Sequence, residues 1–285
     1  MNANRLLNSG IILLVLISFV MTGCGFKTNI RASETMLSEN PMKKVILLSG
    51  GKLNWPGFRG KMCIRKSDSL KAVEAMIQLT KDELSAKGYE VISAEPVGVG
   101  FQSKNWWLLP ETAKDNTQEE QVTLITSEAP LYVCSNFQGE TPYEKAVVKL
   151  YDLVEFSFQQ GTIDEFVPDK TLVAAIAEAT QADTLCLNRV SGAKFTAARK
   201  TGTAILGALF GTYGGASDAL GSYYVFIDAH TGEVLWQSGY FVQGDPLAPN
   251  AAFIKNAFKY LPDAGQPFDS TRCQKGEKQG YVSCK

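Results

Sequence analysis

Few residues in this sequence could carry out acid–base or nucleophilic chemistry. His230 is the only histidine, and it stands in the run Asp228-Ala229-His230-Thr231-Gly232, whose residue types are typical of a turn. A serine nucleophile needs a neighbouring base, and a turn histidine is explained by backbone geometry alone. The carboxylates of Asp164 and Glu165 are adjacent in sequence, so they point apart rather than flank a glycosidic bond. The residue types predict a protein that is not an enzyme, with a hydrolase as the weaker alternative.

The cysteines give no sign of a metal site or a bound cofactor. No Cys-x-x-Cys pair and no cluster of cysteine with histidine is present among Cys24, Cys63, Cys134, Cys186, Cys273 and Cys284, so we expect neither a metal nor a cofactor. Cys186 stands among apolar neighbours and is predicted to be buried as a small hydrophobic residue. Cys63 and Cys134 could pair, but sequence does not decide their connectivity.

The charge balance gives no reason to expect a nucleic-acid partner. The chain has 285 residues, with 28 lysines and arginines against 29 aspartates and glutamates, and a formal net charge of −1. Nucleic-acid binding depends on an excess of cationic side chains. The hydrophobic fraction of 45% is that of a globular protein with a substantial core.

One glycine-containing segment invites comparison with a phosphate-binding loop. Ser49-Gly50-Gly51-Lys52 follows a short apolar run, as such loops do. The full G-x-x-x-x-G-K-[ST] pattern is absent because Leu53 follows the lysine. We therefore predict a glycine turn that ends the preceding strand.

The first 24 residues point to export and lipid attachment. Arg5 precedes an apolar run of about 11 residues, which suits a signal peptide rather than a membrane-spanning helix. The run ends in Met21-Thr22-Gly23-Cys24, which resembles a bacterial lipobox. The resemblance implies a signal peptide over residues 1–23 and lipid on Cys24, and Gly25 implies sorting to the periplasmic face of the outer membrane. The alternatives are an ordinary secretory signal with a coincidental cysteine, or an uncleaved anchor.

Composition divides the mature chain into three parts. Residues 24–42 are polar and without a sustained period, which predicts a tether between the lipidated cysteine and a folded domain. The domain is expected over residues 43–262. Residues 263–285 form a polar tail in which a disulfide between Cys273 and Cys284 would stabilise about a dozen residues, by roughly 2–3 kcal/mol. The alternative is two unpaired thiols at a frayed end.

Apolar periodicity within residues 43–262 predicts alternating strands and helices. A strand at 43–49, an amphipathic helix at 67–87 and a strand at 89–93 form a βαβ unit, which implies a parallel strand pair. Further strands are expected at 122–126, 131–134 and 182–192, and further helices at 143–159, 170–181 and 251–260. Asp169 is a candidate N-terminal cap for the helix at 170–181.

A hairpin in the second half of the chain carries a family resemblance. Strands are predicted at 222–228 and 233–238, joined by a short loop whose last residue, Gly232, supplies positive φ. Asp228 with the run from Thr231 to Trp236 resembles the D-x-x-T-G-E-V-L-W hairpin of bacterial lipoproteins related to the curli secretion channel. The resemblance implies an α/β fold, a single mixed sheet with helices packed on it, in an oligomeric lipoprotein that assembles or exports surface material. The two alternating hairpins that would line a pore are not found.

A glycine-rich apolar segment precedes that hairpin. Gly207, Gly211 and Gly215 recur at every fourth residue, and on a helix they would form one face that permits close backbone approach. One interpretation is a membrane-dipping or self-associating segment. The other is a flexible connection against the core, because glycine costs about 1 kcal/mol per helical position.

Together these patterns predict a non-catalytic lipoprotein of the cell envelope. It would be held to the membrane by its N-terminal lipid and would act through an envelope protein partner or through self-association, in assembly or export of surface material. A pore-forming or membrane-remodelling subunit is the alternative that the glycine segment favours.

Overall fold

The computed structural model describes most of the chain after residue 28. The described residues are 29–56, 62–64, 66–99, 108–110, 122–125, 131–139, 141–195, 197, 200, 217–275 and 282–284. The predictions for the signal peptide, for Cys24 and for the glycines Gly207, Gly211 and Gly215 lie outside these residues.

The described strands join into one mixed sheet, which confirms the predicted α/β class. The sheet contains twelve strands, and ten of them lie side by side in the order β11-β12-β1-β10-β9-β8-β2-β4-β7-β6, while β3 pairs with β2 and β5. Their bounds are β1 Asn29–Ala32, β2 Lys44–Pro56, β3 Met62–Ile64, β4 Glu90–Val99, β5 Leu108–Pro110, β6 Val122–Ile125, β7 Leu131–Cys134, β8 Thr184–Ala193, β9 Ala219–Asp228, β10 Val234–Gln243, β11 Cys273–Lys275 and β12 Val282–Cys284.

Helices lie on both faces of this sheet. They are α1 Glu34–Ser38, α2 Lys66–Ala86, α3 Pro142–Gln160, α4 Lys170–Thr180 and α5 Ala251–Ala257, with 3-10 turns at Ser135–Phe137, Ile163–Glu165 and Ser270–Arg272. The carboxylate of Asp169 accepts from the Thr171 amide at 2.9 Å and caps α4, as predicted.

The predicted βαβ unit is confirmed, because β2 and β4 pair in parallel and α2 connects them.

The two faces have separate hydrophobic cores. On one face, which we call the α2 face, α2 and α5 pack against buried residues of the central strands, among them Val45, Phe226 and Trp236. On the opposite face, the α3 face, α3 and α4 pack against Ile46 and Leu187. Alternate residues of each strand enter the two cores because successive side chains of a strand point to opposite sides.

The turn predicted at Gly50 and Gly51 is wrong, because β2 continues through both glycines to Pro56. A Cβ on Gly50 would lie 2.6 Å from the carbonyl oxygen of Gly98, and one on Gly51 would lie 2.3 Å from that of Val190. Neighbouring backbone and side chains therefore require glycine at these positions. Close packing of a central strand, and not a change of direction, explains the pair.

The tether predicted for residues 24–42 is wrong from Asn29 onward. β1 lies between β10 and β12, and Ile30, Ala32 and Met36 are fully buried. Two alternating apolar residues and one helical turn are too short to show a period in sequence. The chain therefore enters the folded sheet five residues after Cys24.

The polar C-terminal segment also belongs to the fold, so the boundary predicted at residue 262 is wrong. Phe268 is buried, and its amide donates to the Met36 carbonyl at 2.8 Å. β11 and β12 then extend the sheet beyond β1. The segment needs no core of its own because it completes the one already present.

Candidate binding groove

An open groove lies on the α3 face, at the end of the sheet beyond the last turn of α3. It has a volume of about 300 Å³. Strands β8, β9 and β10 form its floor, and Phe158 of α3 forms one wall. We call it the aromatic groove, and its lining residues are Phe158, Arg189, Ser191, Gly221, Ser222, Tyr223, Gly239, Tyr240 and Phe241.

The pairing register places the floor residues in two rows. Arg189 lies opposite Tyr223, and Tyr223 opposite Gly239. In the second row Ser191 lies opposite Gly221, which in turn lies opposite Phe241. Each row therefore contains one large ring beside one glycine.

These glycines shape the groove by leaving room for the rings. A Cβ on Gly239 would lie 2.8 Å from Cδ2 of Tyr223, and a Cβ on Gly221 would lie 2.8 Å from Cδ2 of Phe241. Each ring thus occupies the space above its neighbour's backbone rather than standing upright from the sheet. The floor becomes a broad and shallow apolar surface.

The aromatic rings of the groove are partly open to solvent. Phe158 and Tyr223 meet edge to face, with ring centroids 5.0 Å apart. Few large hydrophobic side chains of the described residues are exposed, and Phe241 is one of them, with 39% of its surface accessible. Aromatic side chains that are already rigid lose little conformational entropy when a partner covers them.

A buried ion pair lies beneath the wall of the groove. Glu155 of α3 accepts from Nε of Arg189 at 2.5 Å and from Nη2 at 3.0 Å, and the guanidinium carbon lies 4.2 Å from the Phe158 ring centroid. Burial opposes the charge of Arg189, but the attraction and hydrogen bonds of Glu155 outweigh burial and raise the pKa of the guanidinium. The bidentate pair fixes the arginine under the aromatic ring.

A second cation accompanies this pair. Burial and the positive charge of Arg189 lower the pKa of Lys52, against the attraction of Glu155. Two basic side chains therefore share one carboxylate, so the cluster of Lys52, Arg189 and Glu155 carries an excess of positive charge when Lys52 is protonated. The potential at this end of the α3 face favours acidic groups on a bound molecule.

Tyr223 supplies a neutral hydroxyl at the side of the groove. Burial and the charge of Asp164 raise the pKa of this phenol well above its ordinary value, so it stays protonated at neutral pH. Its hydroxyl donates to Oε1 of Gln237 at 3.4 Å. Asp164 in turn is paired with Arg31 of β1, which links the groove to the N-terminal strand.

The residues first considered for catalysis do not converge. His230 lies in the predicted hairpin turn, at the far end of β9, with its side chain 74% exposed and 3.8 Å from a carboxylate oxygen of Asp183. Asp228 accepts from the backbone amides of His230 and Thr231, at 2.8 and 2.7 Å, and is a turn former as predicted. Among the described residues no three metal-ligating side chains form a cluster.

The cysteines fall into two groups. Cys186 is fully buried, as predicted, and Cys134 is buried with a free thiol; burial raises the pKa of Cys134 to about 12. In the edge hairpin Cys273 and Cys284 are directly opposite in the antiparallel register. Cys63 lies on β3, which pairs with β2 and β5.

No helix in the described part of the chain combines the length and the apolar character needed to cross a bilayer.

Comparison with known proteins gives remote structural likenesses. No family model matches the chain, and no curated protein matches it. Similar solved structures include a PelC dodecamer from Paraburkholderia phytofirmans, with 8% identity, coverage of 81% of this chain and 96% of that one, and a TM-score of 0.32. They also include lipoprotein GNA1162 from Neisseria meningitidis, with 11% identity, coverage of 75% of this chain and 91% of that one, and a TM-score of 0.28.

The C-terminal domain of LpoB from Salmonella enterica is a third, with 10% identity, coverage of 75% of this chain and 96% of that one, and a TM-score of 0.26. None of these three is described as a curli protein, so the finer resemblance drawn from the hairpin stays a prediction.

Sequence inspection did not identify the aromatic groove, although one signal was present. Arg189 is the only charged residue of β8, which is mostly buried, and a buried arginine needs a carboxylate partner. Gly221, Tyr223 and Phe241 became a site only through the register of three strands, which sequence alone does not fix.

Proposed function

We propose that this chain is a non-catalytic, lipid-anchored envelope protein that binds a protein partner through the aromatic groove, in the assembly or export of cell-surface material. The observation that carries the proposal is the groove itself, a solvent-open aromatic surface on a rigid sheet. The lipobox at Cys24 supports the anchor, and the curli-like hairpin supports the assembly role.

The groove has the composition of a protein-recognition surface. Tyrosine, tryptophan and arginine dominate the binding energy of known interfaces, and the groove combines Phe158, Tyr223 and Phe241 with Arg189. Its volume of about 300 Å³ accommodates one or two large side chains of a partner. Covering apolar area contributes about 25 cal/mol per Å², so aromatic anchors are the expected contacts.

The chemistry of the groove favours binding over bond breaking. Its hydroxyl groups are those of Ser191 and Tyr223. The side chain of Ser222 points to the α2 face, where it donates to Oδ1 of Asn188 at 2.6 Å, and the ring of Tyr240 packs on Phe253 on that same face. No histidine or carboxylate is among the lining residues. A serine there has no base to accept its proton.

Site-specific photocrosslinking in intact cells tests the proposal. A benzophenone amino acid at Phe241 is compared with the same residue at Val167, which is 79% exposed and outside the groove. We expect one defined envelope protein to be crosslinked from Phe241 and not from Val167, and Tyr223→Ala to weaken that crosslink.

Two outcomes have other meanings. A crosslinked product of twice the protein's own mass indicates self-association through the groove. Equal labelling from both positions, or none from Phe241, contradicts the proposed binding site.

A second experiment tests the anchor. Cys24→Ala should release the protein from membranes or leave it unprocessed, and unchanged fractionation with unchanged mature size contradicts the anchor.

A further inference from the structure

We infer that the domain stands on the bilayer with one end of its sheet, formed by Ala193, Ala219 and Gln243, facing the lipid headgroups. This end is named the groove end, and the opposite end carries the hairpin turn with His230. The inference rests on the proposed lipidation of Cys24. It adds which surface of the domain meets the membrane.

The direction of β1 provides the first argument. Asn29 lies opposite Gly239, and Ala32 lies opposite Trp236. Because Trp236 is nearer the hairpin turn than Gly239, the chain enters the sheet from the groove end and runs toward the turn. The first residue of β1 is therefore its residue nearest the groove end.

The fixed position of β1 provides the second argument. The strand is bonded on one side to β10 and on the other to β12. Ile30 is fully buried, and Arg31 is paired with Asp164. The entry point at Asn29 cannot shift relative to the sheet without breaking this packing.

The reach of the anchor provides the third argument. Cys24 precedes Asn29 by five residues, and a fully extended chain of this length spans roughly 17 Å. The last residue of β10, Gln243, lies four residue spacings beyond Gly239, or roughly 13 Å, which is within this reach. The hairpin turn lies in the opposite direction, and the five spacings from Gly239 to Val234 alone extend roughly 17 Å.

The groove end has charges that are compatible with this position. Lys194 pairs with Asp218 at 3.1 Å and also with Asp245, and Lys200 pairs with Asp218 at 2.7 Å. Two cations thus meet two anions, so this group of four side chains has no net charge to repel the headgroups. Gln243 and Gly244 are exposed beside them.

This orientation constrains the partner of the aromatic groove. Gly239 is both the register partner of Asn29 and a lining residue of the groove. The groove therefore opens sideways close to the membrane surface, where a membrane-bound envelope protein can reach it.

Fluorescence quenching by lipid headgroups tests the orientation. Fluorophores are attached through a genetically encoded alkyne at Gln243 or at His230, which avoids the native cysteines. The lipidated full-length protein is reconstituted into vesicles of phosphatidylethanolamine and phosphatidylglycerol that contain a nitroxide-headgroup lipid. We expect several-fold stronger quenching at Gln243 than at His230.

A long Gly-Ser insertion between Thr28 and Asn29 is the matched control, because a flexible linker removes the restraint. It should abolish the difference between the two positions. Equal quenching of the two positions without the insertion, stronger quenching at His230, or quenching of neither overturns the orientation. The mass of the N-terminal peptide from the same sample distinguishes failure of the orientation from failure of the anchor. If Cys24 is acylated and the order of quenching is wrong, only the orientation is overturned. If Cys24 is not acylated, the anchor and the orientation are both overturned.

Discussion

The two faces of the sheet are built differently, although the same strands supply both. On the α2 face the rings of Trp236, Phe226 and Phe258 meet edge to face at centroid distances of 5.4 to 6.0 Å, and all three are fully buried. On the α3 face the rings of Tyr223 and Phe241 lie over glycines and remain partly open. Similar residues thus form a closed core on one face and a partly open surface on the other.

Polar groups follow the same division. On the α2 face Ser49, Asn188 and Ser222 form a buried hydrogen-bonded chain, with contacts of 3.1 and 2.6 Å. On the α3 face Arg189 and Glu155 form a buried ion pair with Lys52 nearby. A neutral satisfied chain fixes packing, whereas a charged pair next to an open groove also sets the local potential.

The largest expected change in the free energy of unfolding comes from removing an aromatic ring from the buried core of the α2 face. Phe258→Ala should lower the free energy of unfolding by about 3–5 kcal/mol, because it leaves a cavity between Trp236 and Tyr224. The matched variant Phe241→Ala should change it by less than about 1 kcal/mol, because this ring is 39% exposed and its loss leaves no closed cavity. Urea unfolding measures both, and equal losses in the two variants would contradict the division between the faces.

Breaking the ion pair between Glu155 and Arg189 should lower the free energy of unfolding by a similar or slightly smaller amount. Glu155→Gln leaves the guanidinium of Arg189 buried without its counter-charge, which costs about 3–5 kcal/mol when a buried pair loses one partner. The double variant Glu155→Leu with Arg189→Met should recover most of this loss, because no charge is then buried. If the double variant unfolds as readily as the single one, packing rather than charge explains the effect.

The hairpin of β11 and β12, at the edge of the sheet, should contribute a smaller amount to the free energy of unfolding. Cys273→Ser removes the proposed disulfide with Cys284 and should lower the free energy of unfolding by about 2–3 kcal/mol. The wild-type protein should lose a similar amount in dithiothreitol, and the variant should be insensitive to it. A peptide map that shows both thiols free in protein isolated under oxidising conditions would rule out the bond.

The smallest effect concerns acid stability at the groove end. Burial opposes the ionisation of Asp218, but hydrogen bonds from Lys200, the Phe195 amide and Lys194 outweigh it and lower the pKa of the carboxyl. Because the folded pKa lies below the unfolded value of about 4, this contribution is complete above that value and is lost as pH falls through the folded pKa. Asp218→Asn should therefore be less stable than wild type near pH 7, and the difference should shrink toward pH 2. A constant difference across this range would show that Asp218 acts through something other than its charge.

Local patterns in the sequence were sufficient for much of the fold. The βαβ unit, the cap at Asp169 and the positive φ of Gly232, which is 71°, follow from residues close together in the chain. Interactions between distant residues were not predictable in this way. Gly50 and Gly51 resemble a turn until β8 and α3 are placed beside them. β1 has four residues, too few to show a period, and the strands that identify it as part of the sheet lie 200 or more residues later, about 210 in the case of β10.

The candidate site was less predictable than the fold for the same reason. The aromatic groove needs the register of β8, β9 and β10 together with the end of α3, and no short motif encodes these four elements. The lipobox-like run at Cys24, the cysteines of the C-terminal segment and the glycine repeat are local patterns, so they can be found in the sequence directly.

The position of β1 also determines when this protein can finish folding. It is among the first parts of the domain to be synthesised, yet both of its neighbours in the sheet, β10 and β12, come from the last fifth of the chain. The sheet therefore stays incomplete until synthesis of the chain is nearly over. A shortened version for laboratory expression must begin no later than Asn29, because one that starts at residue 43 would expose two bare strand edges and aggregate.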